Sequence, residues 1–308
     1  MGKRSGGSAW SGNVLLILTA LIWGVAFVAQ KSGGAALGAI TFNGLRSFIG
    51  CAGLLAAIPL LDRMGLSHPC RTAAERKRLW IAGVCCGVAL FGGTNLQQLG
   101  LLTSTVGKGG FITALYIVLV PLLGMFTGKK TTWLNWLGVL PAVAGLYLLC
   151  SPGDAGLQSG DILLLLCALL FSLQILAVSH FAPTVDGVRL SCIQFLVVGI
   201  LNLPLMVIFE APSVAAVADN WLTLAYSGLL SSGVGYTLQI LAQRNTHPTV
   251  ASLLMSLESV FAVIASAILL PDLTPFTWRE VVGMIIIFAA IVCSQLQFNF
   301  KKKEKAAD

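Results

Sequence analysis

Charge is scarce in this sequence. Asp, Glu, Lys and Arg make up 10% of its 308 residues, where soluble domains carry about 25%. Only 12 residues are acidic and three are histidine. A water-soluble fold of this length needs more polar surface, which excludes a soluble enzyme or a DNA-binding domain. Hydrophobic residues supply 56% of the chain and the mean hydropathy is +0.88. The eight cysteines form no CxxC and no Cys/His cluster. Cys51, Cys85, Cys86, Cys167, Cys192 and Cys293 lie in apolar runs and read as small hydrophobes, so neither a disulfide framework, a metal site nor a cofactor is expected.

Apolar runs between charged or Gly/Pro breaks give ten candidate spans: 13–31, 38–61, 79–98, 106–128, 132–150, 160–179, 188–209, 221–242, 248–270 and 277–298. Ten helices of about 20 residues leave roughly ten residues for each loop, so no soluble domain fits. The net charge of +7 does not point to nucleic acid, because the basic residues sit in short loops and tails. With the N-terminus inside, one side receives fifteen of the 19 basic residues, from Lys3 and Arg4 through Arg76, Lys77 and Arg78 to Lys301, Lys302, Lys303 and Lys305. The other side receives Arg279 alone. This asymmetry predicts an all-α integral membrane protein with ten spans and both termini cytoplasmic. Trp10, Trp80, Trp133, Trp136, Trp221 and Trp278 fall at span ends, as interface anchors do, and Trp23 alone lies near mid-span.

Residues 151–159 form a Pro/Gly-bearing linker that divides the chain into a first repeat, 1–150, and a second, 151–308, with a short basic tail. Ala20-Leu21-Ile22-Trp23 aligns with Ala168-Leu169-Leu170-Phe171, and Asn95-Leu96-Gln97 with Thr237-Leu238-Gln239. Five spans per repeat is odd, so the second repeat must cross upside down. Inverted repeats of this kind are typical of secondary transporters, with substrate held at the midplane between the repeats.

Glu258 lies about ten residues into span nine, roughly 15 Å deep. A carboxylate at the midplane is a functional candidate, for a proton or for a cationic group on substrate. Arg46, roughly 10 Å inside span two, is its candidate ion-pair or coupling partner, or a holder of a substrate carboxylate. Tyr116 and Trp23 are midplane aromatics suited to an apolar or aromatic substrate. Gln97, Gln239, Gln174, Gln194, Asn43, Asn95 and Gln98 either bond between helices or line a wet cavity. Lys31 and Lys108, near span ends, are expected to snorkel. Gly92-Gly93 and Gly233-Val234-Gly235 are expected to interrupt spans three and eight.

The sequence resembles the drug/metabolite transporter superfamily, and within it the EamA family. The resemblance rests on Leu21-Ile22-Trp23-Gly24, on Arg46, on the stretch from Ala251 through Glu258 to Ala262, and on Gly283 to Ala290. It implies a ten-helix inverted-repeat fold and alternating access. Members are mostly exporters of amino acids, related metabolites or toxic compounds. Some relatives carry nucleotide sugars or triose phosphates. It also implies a cavity bounded by spans one, three, four, six, eight and nine, which favours Trp23, Tyr116, Gln97, Gln239 and Glu258 as substrate-binding residues over Arg46. Many members end spans four and nine with Gly-Glu, where this chain has Gly128-Lys129 and Pro271-Asp272. The expectation is a non-enzymatic exporter of a small amino acid, amine or drug-like compound in a bacterial-type plasma membrane, with the lipid bilayer and a small-molecule substrate as partners. An uptake permease or facilitator is the nearest alternative, ahead of a membrane scaffold or an intramembrane enzyme. Oligomeric state is left open.

Overall fold

The computed structural model describes residues 9–126, 128, 133–150, 158–210, 213–269 and 278–307. The linker 151–157, the Lys129 and Asp272 positions and the N-terminal Lys3 and Arg4 lie outside them. Every regular element among the described residues is helical. In chain order these are α1 (Ala9–Leu37), α2 (Ala39–Arg63), α3 (Ala73–Thr103), α4 (Val106–Ala114), α5 (Tyr116–Phe126), α6 (Trp133–Cys150), α7 (Ser159–Phe181), α8 (Gly187–Phe209), α9 (Val214–Asp219) and α10 (Trp221–Ala225). A π-helix, Tyr226–Gly235, then leads into α11 (Tyr236–Gln243), α12 (Pro248–Met255), α13 (Leu257–Leu269) and α14 (Trp278–Ala307).

Seven helical segments are long and apolar enough to cross a membrane. Shorter apolar helices, Trp136–Leu149 and Val281–Cys293, lie within α6 and α14. The eighth candidate span is the α10–π–α11 run. Large apolar side chains cover the outside, including Leu60, Val207, Ile208, Phe209, Ile285 and Phe288. Amides and hydroxyls are turned inward: Asn43, Gln98, Gln174, Gln194, Gln239 and Ser259 are all buried. Lipid on the outside and polar partners on the inside explain that pattern.

Local chemistry sets the helix ends. Thr72 and Glu75 form a capping box, so α3 starts six residues before the apolar run. Thr105 and Asp186 cap α4 and α8. Gly38, at φ +88°, turns the chain between α1 and α2. The Glu210 carboxylate then accepts from Ile40 N and Thr41 N, capping α2 from the far end of α8. At the other end of the same pair, Arg189 makes a bidentate bridge to Asp62 at 3.0 and 2.7 Å. Thus α2 and α8 run antiparallel and are tied at both ends.

Glycine permits the closest crossings. A Cβ on Gly145 would lie 2.9 Å from Gly283 O, and one on Gly283 would lie 2.6 Å from Gly145 O, so α6 and α14 touch backbone to backbone. Elsewhere α3 packs on α7 and α8, α2 on the π-helix, and α1 on α13, α11 and the π-helix.

Three expectations change. Gly92-Gly93 do not interrupt α3, which runs unbroken. They make room for Leu170 and Phe171 of α7. Of these two spans, span eight is the one interrupted, by the π-helix that contains Gly233 and Gly235. Lys31 and Lys108 do not snorkel. Lys31 Nζ donates to the carbonyls of Leu101, Leu102 and Ser104, closing the C-terminus of α3. Lys108 Nζ meets Asp161 at 2.6 Å, with Asp161 fully buried.

Candidate functional site

Two one-residue irregularities mark the site. The helical span Val106–Phe126 tightens at Leu115 and the span Pro248–Leu269 at Ser256, and both residues keep right-handed helical dihedrals. At the first, Leu115 N bonds back three residues to Ile112 O. At the second, Ser259 N bonds back three residues to Ser256 O. π-Segments such as Tyr226–Gly235 often accompany functional sites. Tyr116 and Glu258 lie in the first turn after the two irregularities.

Both irregularities border a narrow central cavity of about 30 Å³, close to the room one water takes. Trp23, Phe27 and Gln30 of α1 line it, with Arg46 of α2, Gln97 of α3 and Tyr116 of α5. The second half of the chain adds Phe171, Gln174 and Ile175 of α7, Ser231 of the π-helix, Tyr236 and Gln239 of α11, and Glu258 of α13. All five residues expected from sequence to bind substrate therefore face one space. Arg46 faces it too, although the resemblance implies a cavity without span two.

Tyr116 hydroxyl donates to Glu258 Oε1 at 2.9 Å. Among the described residues no salt bridge joins Glu258 to Arg46. The Arg46 guanidinium carbon instead stands 5.8 Å from the Phe42 ring centroid. Trp23 Nε1 donates to Ser231 O at 3.2 Å, which fixes its indole against the π-helix. Its ring lies 4.5 Å from that of Tyr236, which in turn meets Phe195 edge-on at 5.2 Å. A Cβ on Gly235 would lie 2.7 Å from Trp23 Nε1, so glycine is what lets the indole approach.

The amides divide between the two readings left open above. Gln239 Nε2 donates to Gln174 Oε1 at 3.2 Å, a bond between helices, and both also line the cavity. Asn43 Nδ2 donates to Thr94 O and to Asn95 Oδ1, away from it. Gln98 Nε2 donates to Gln30 O. The side-chain oxygens of Gln30 and Gln239 are buried without a protein partner. Acceptors left open beside a cavity suit a ligand or water.

Sequence reasoning missed Tyr236, Phe27, Gln30 and Phe171. A signal existed for several of them. Trp23, Phe27 and Gln30 are spaced i, i+4, i+7, one helical face, and Phe171, Gln174 and Ile175 are spaced i, i+3, i+4. Among the described residues no group of three or more His, Cys, Asp or Glu could hold a metal ion.

An apolar exterior and many membrane-length helices define a multi-pass membrane protein with an internal cavity. The EamA-like transporter family model matches twice, over residues 10–151 and 158–295, and the chain belongs to that family. It is 31% identical to an uncharacterized transporter of Archaeoglobus fulgidus over 91% of this chain and 84% of that protein. It is 25% identical to the uncharacterized inner membrane transporter YedA of Escherichia coli K12 over 69% of this chain and 74% of YedA. A solved crystal structure superposes with a TM-score of 0.73 at 21% identity, over 94% of this chain and 97% of its own, and shares the fold.

Proposed function

We propose that the chain is a secondary transporter that exports a small organic metabolite across the plasma membrane by alternating access. The metabolite class is an amino acid, amine or drug-like compound. The observation that carries this reading is the match of both halves to the EamA-like transporter family, and residues of both halves line one central cavity. Family membership favours transport over catalysis, and YedA's name favours the plasma membrane.

The architecture proposed is ten spans in two inverted repeats, 1–150 and 151–308, with both termini cytoplasmic. Three observations support it. The family model matches each half separately. Helix contacts map onto themselves when the halves are exchanged: α3 on α7 corresponds to α1 on α11, α3 on α8 to α2 on the π-helix, and α1 on α13 to α7 on α5. Finally, exchanging the halves maps the two ties between α2 and α8 onto each other: Thr41 N to Glu210 and Asp62 to Arg189 interchange at an offset of 148 residues.

In this reading Trp23, Tyr116, Gln97, Gln239 and Glu258 bind substrate, with Arg46 lining the same cavity. Glu258 is the proposed proton-coupling group. Rocking of one repeat against the other exposes the cavity to each side in turn.

The test is a thermal-stability screen of the purified protein against amino acids, amines, nucleotide sugars and drugs. A ligand at 100 times its dissociation constant adds roughly 2.7 kcal/mol. A hit should then show saturable flux in proteoliposomes that Trp23→Ala abolishes. Hits with no flux would sink the transport reading. Flux driven only inward in oriented vesicles would replace the exporter by an uptake permease.

A further inference from the structure

We infer that the cavity's substrate is an organic monoanion, a single carboxylate on an aromatic or apolar body, and that Arg46 selects it. The inference rests on the reading of this cavity as the substrate site, and it names the charge class that reading leaves open.

Arg46 is 4% exposed and lines the cavity. Among the described residues it makes no hydrogen bond and no ion pair. The Phe42 ring at 5.8 Å is a cation–π neighbour, which attracts the charge without neutralising it or occupying the guanidinium donors. A buried cation without an anion is costly. The other cations close to buried surface are already engaged: Lys31 by α3 carbonyls, Lys108 by Asp161, and Arg189 by Asp62. Arg46 is therefore the cation the cavity offers to an occupant.

The opposite charge is placed differently. Glu258 also faces the cavity, but its Oε1 is taken by the Tyr116 hydroxyl. Among the described residues no salt bridge joins Arg46 to Glu258. An ammonium group entering the cavity would meet a like charge in Arg46, which no protein ion pair neutralises. A carboxylate would meet a guanidinium fork with all its donors free, the geometry that accepts two parallel hydrogen bonds. A dianionic phosphate would bring a second charge, and no second cation is among the lining residues. The rest of the occupant meets Trp23, Phe27, Phe171 and Tyr236. Those faces suit a ring or an apolar chain.

The experiment uses three probes with one ring and different heads: phenylacetate, phenylacetamide and phenethylamine. Binding to the purified full chain is read by thermal shift and tryptophan fluorescence. Phenylacetate is expected to bind about tenfold or more tighter than phenylacetamide, and phenethylamine most weakly. Arg46→Gln should erase the difference between acid and amide, while Arg46→Lys, which keeps the charge and guards against a folding failure, should retain part of it. Trp23→Phe should weaken the probes that bind by a common factor. Equal binding of acid and amide to the wild type overturns the inference, as does an acid preference that survives Arg46→Gln. So does a screen in which only amines bind through Trp23. In each of these cases the cavity remains the site. Binding that ignores Trp23→Phe instead removes the cavity reading itself.

Discussion

The Tyr116 hydroxyl donates a 2.9 Å hydrogen bond to Glu258 Oε1, joining residues 142 positions apart in the chain. Each residue sits in the first turn after a one-residue helix irregularity. The bond therefore connects the two helical spans at the cavity, and anything that changes the state of Glu258 is felt by both.

Glu258→Gln keeps an acceptor for Tyr116 and removes the exchangeable proton. Flux through this variant should persist and lose its dependence on pH. Proteoliposome assays across a pH series check this. A variant with the wild-type profile would eliminate proton coupling through Glu258.

Tyr116→Phe leaves the buried Glu258 without its donor. Loss of one partner of a buried polar pair costs about 1–3 kcal/mol. Thermal unfolding in detergent should show that loss, and Tyr116→Phe added to Glu258→Leu should cost much less than either expectation summed. Additive effects would mean the two residues are not coupled.

Gly24 faces the backbone of α13 across a close approach of α1. A Cβ there would lie 2.8 Å from Glu258 O and 2.9 Å from Ala262 N. Gly24→Ala should destabilise by about 1–3 kcal/mol through overpacking. Gly107→Ala is the control, because nothing lies within 4 Å of its Cβ position. Equal stability of the two variants would contradict the packing described.

Cys51 and Cys192 bring their sulfurs to 3.7 Å between α2 and α8. Copper-phenanthroline oxidation should join them. With a protease site placed in residues 151–157, the two halves should stay together on a non-reducing gel, and Cys51→Ser should release them. Because α2 and α8 are already tied at both ends by Glu210 and Arg189, the cross-linked protein should keep its flux. A blocked transporter would show that this pair slides during transport.

Lys108→Ala strands the buried Asp161 carboxylate, whose Oδ1 has no partner and whose Oδ2 keeps only Gln158 N. A cost of about 1–3 kcal/mol is expected. Adding Asp161→Asn should recover part of it. No recovery in thermal unfolding would mean that the lysine acts by packing.

Much of the fold was legible because membrane burial is written along the chain. Apolar runs located the long helices; Trp133, Trp221 and Trp278 are exposed at helix starts, and Trp80 is exposed two turns into α3. Trp23 stood apart in the sequence and faces the cavity. The irregularities at Leu115 and Ser256 were not legible. Neither position holds glycine or proline, the residues that usually announce an irregular helix. Lys31 was misread for a related reason: its partners are carbonyls about 70 residues later, invisible to any local window.

By itself the sequence determined that the chain belongs in a membrane and where most of its long apolar helices lie. These follow from hydropathy and from the fixed rise of a helix, both properties of consecutive residues. The tertiary structure alone decided what stands beside what. Depth placed Glu258 and Arg46 at compatible levels, yet Tyr116 holds the carboxylate and Arg46 faces the cavity without a counter-ion. That choice depends on which helices become neighbours and which faces they turn. Close packing between distant segments sets both, through contacts such as Gly24 on α13 and Gly235 on Trp23, which no periodicity within one helix encodes.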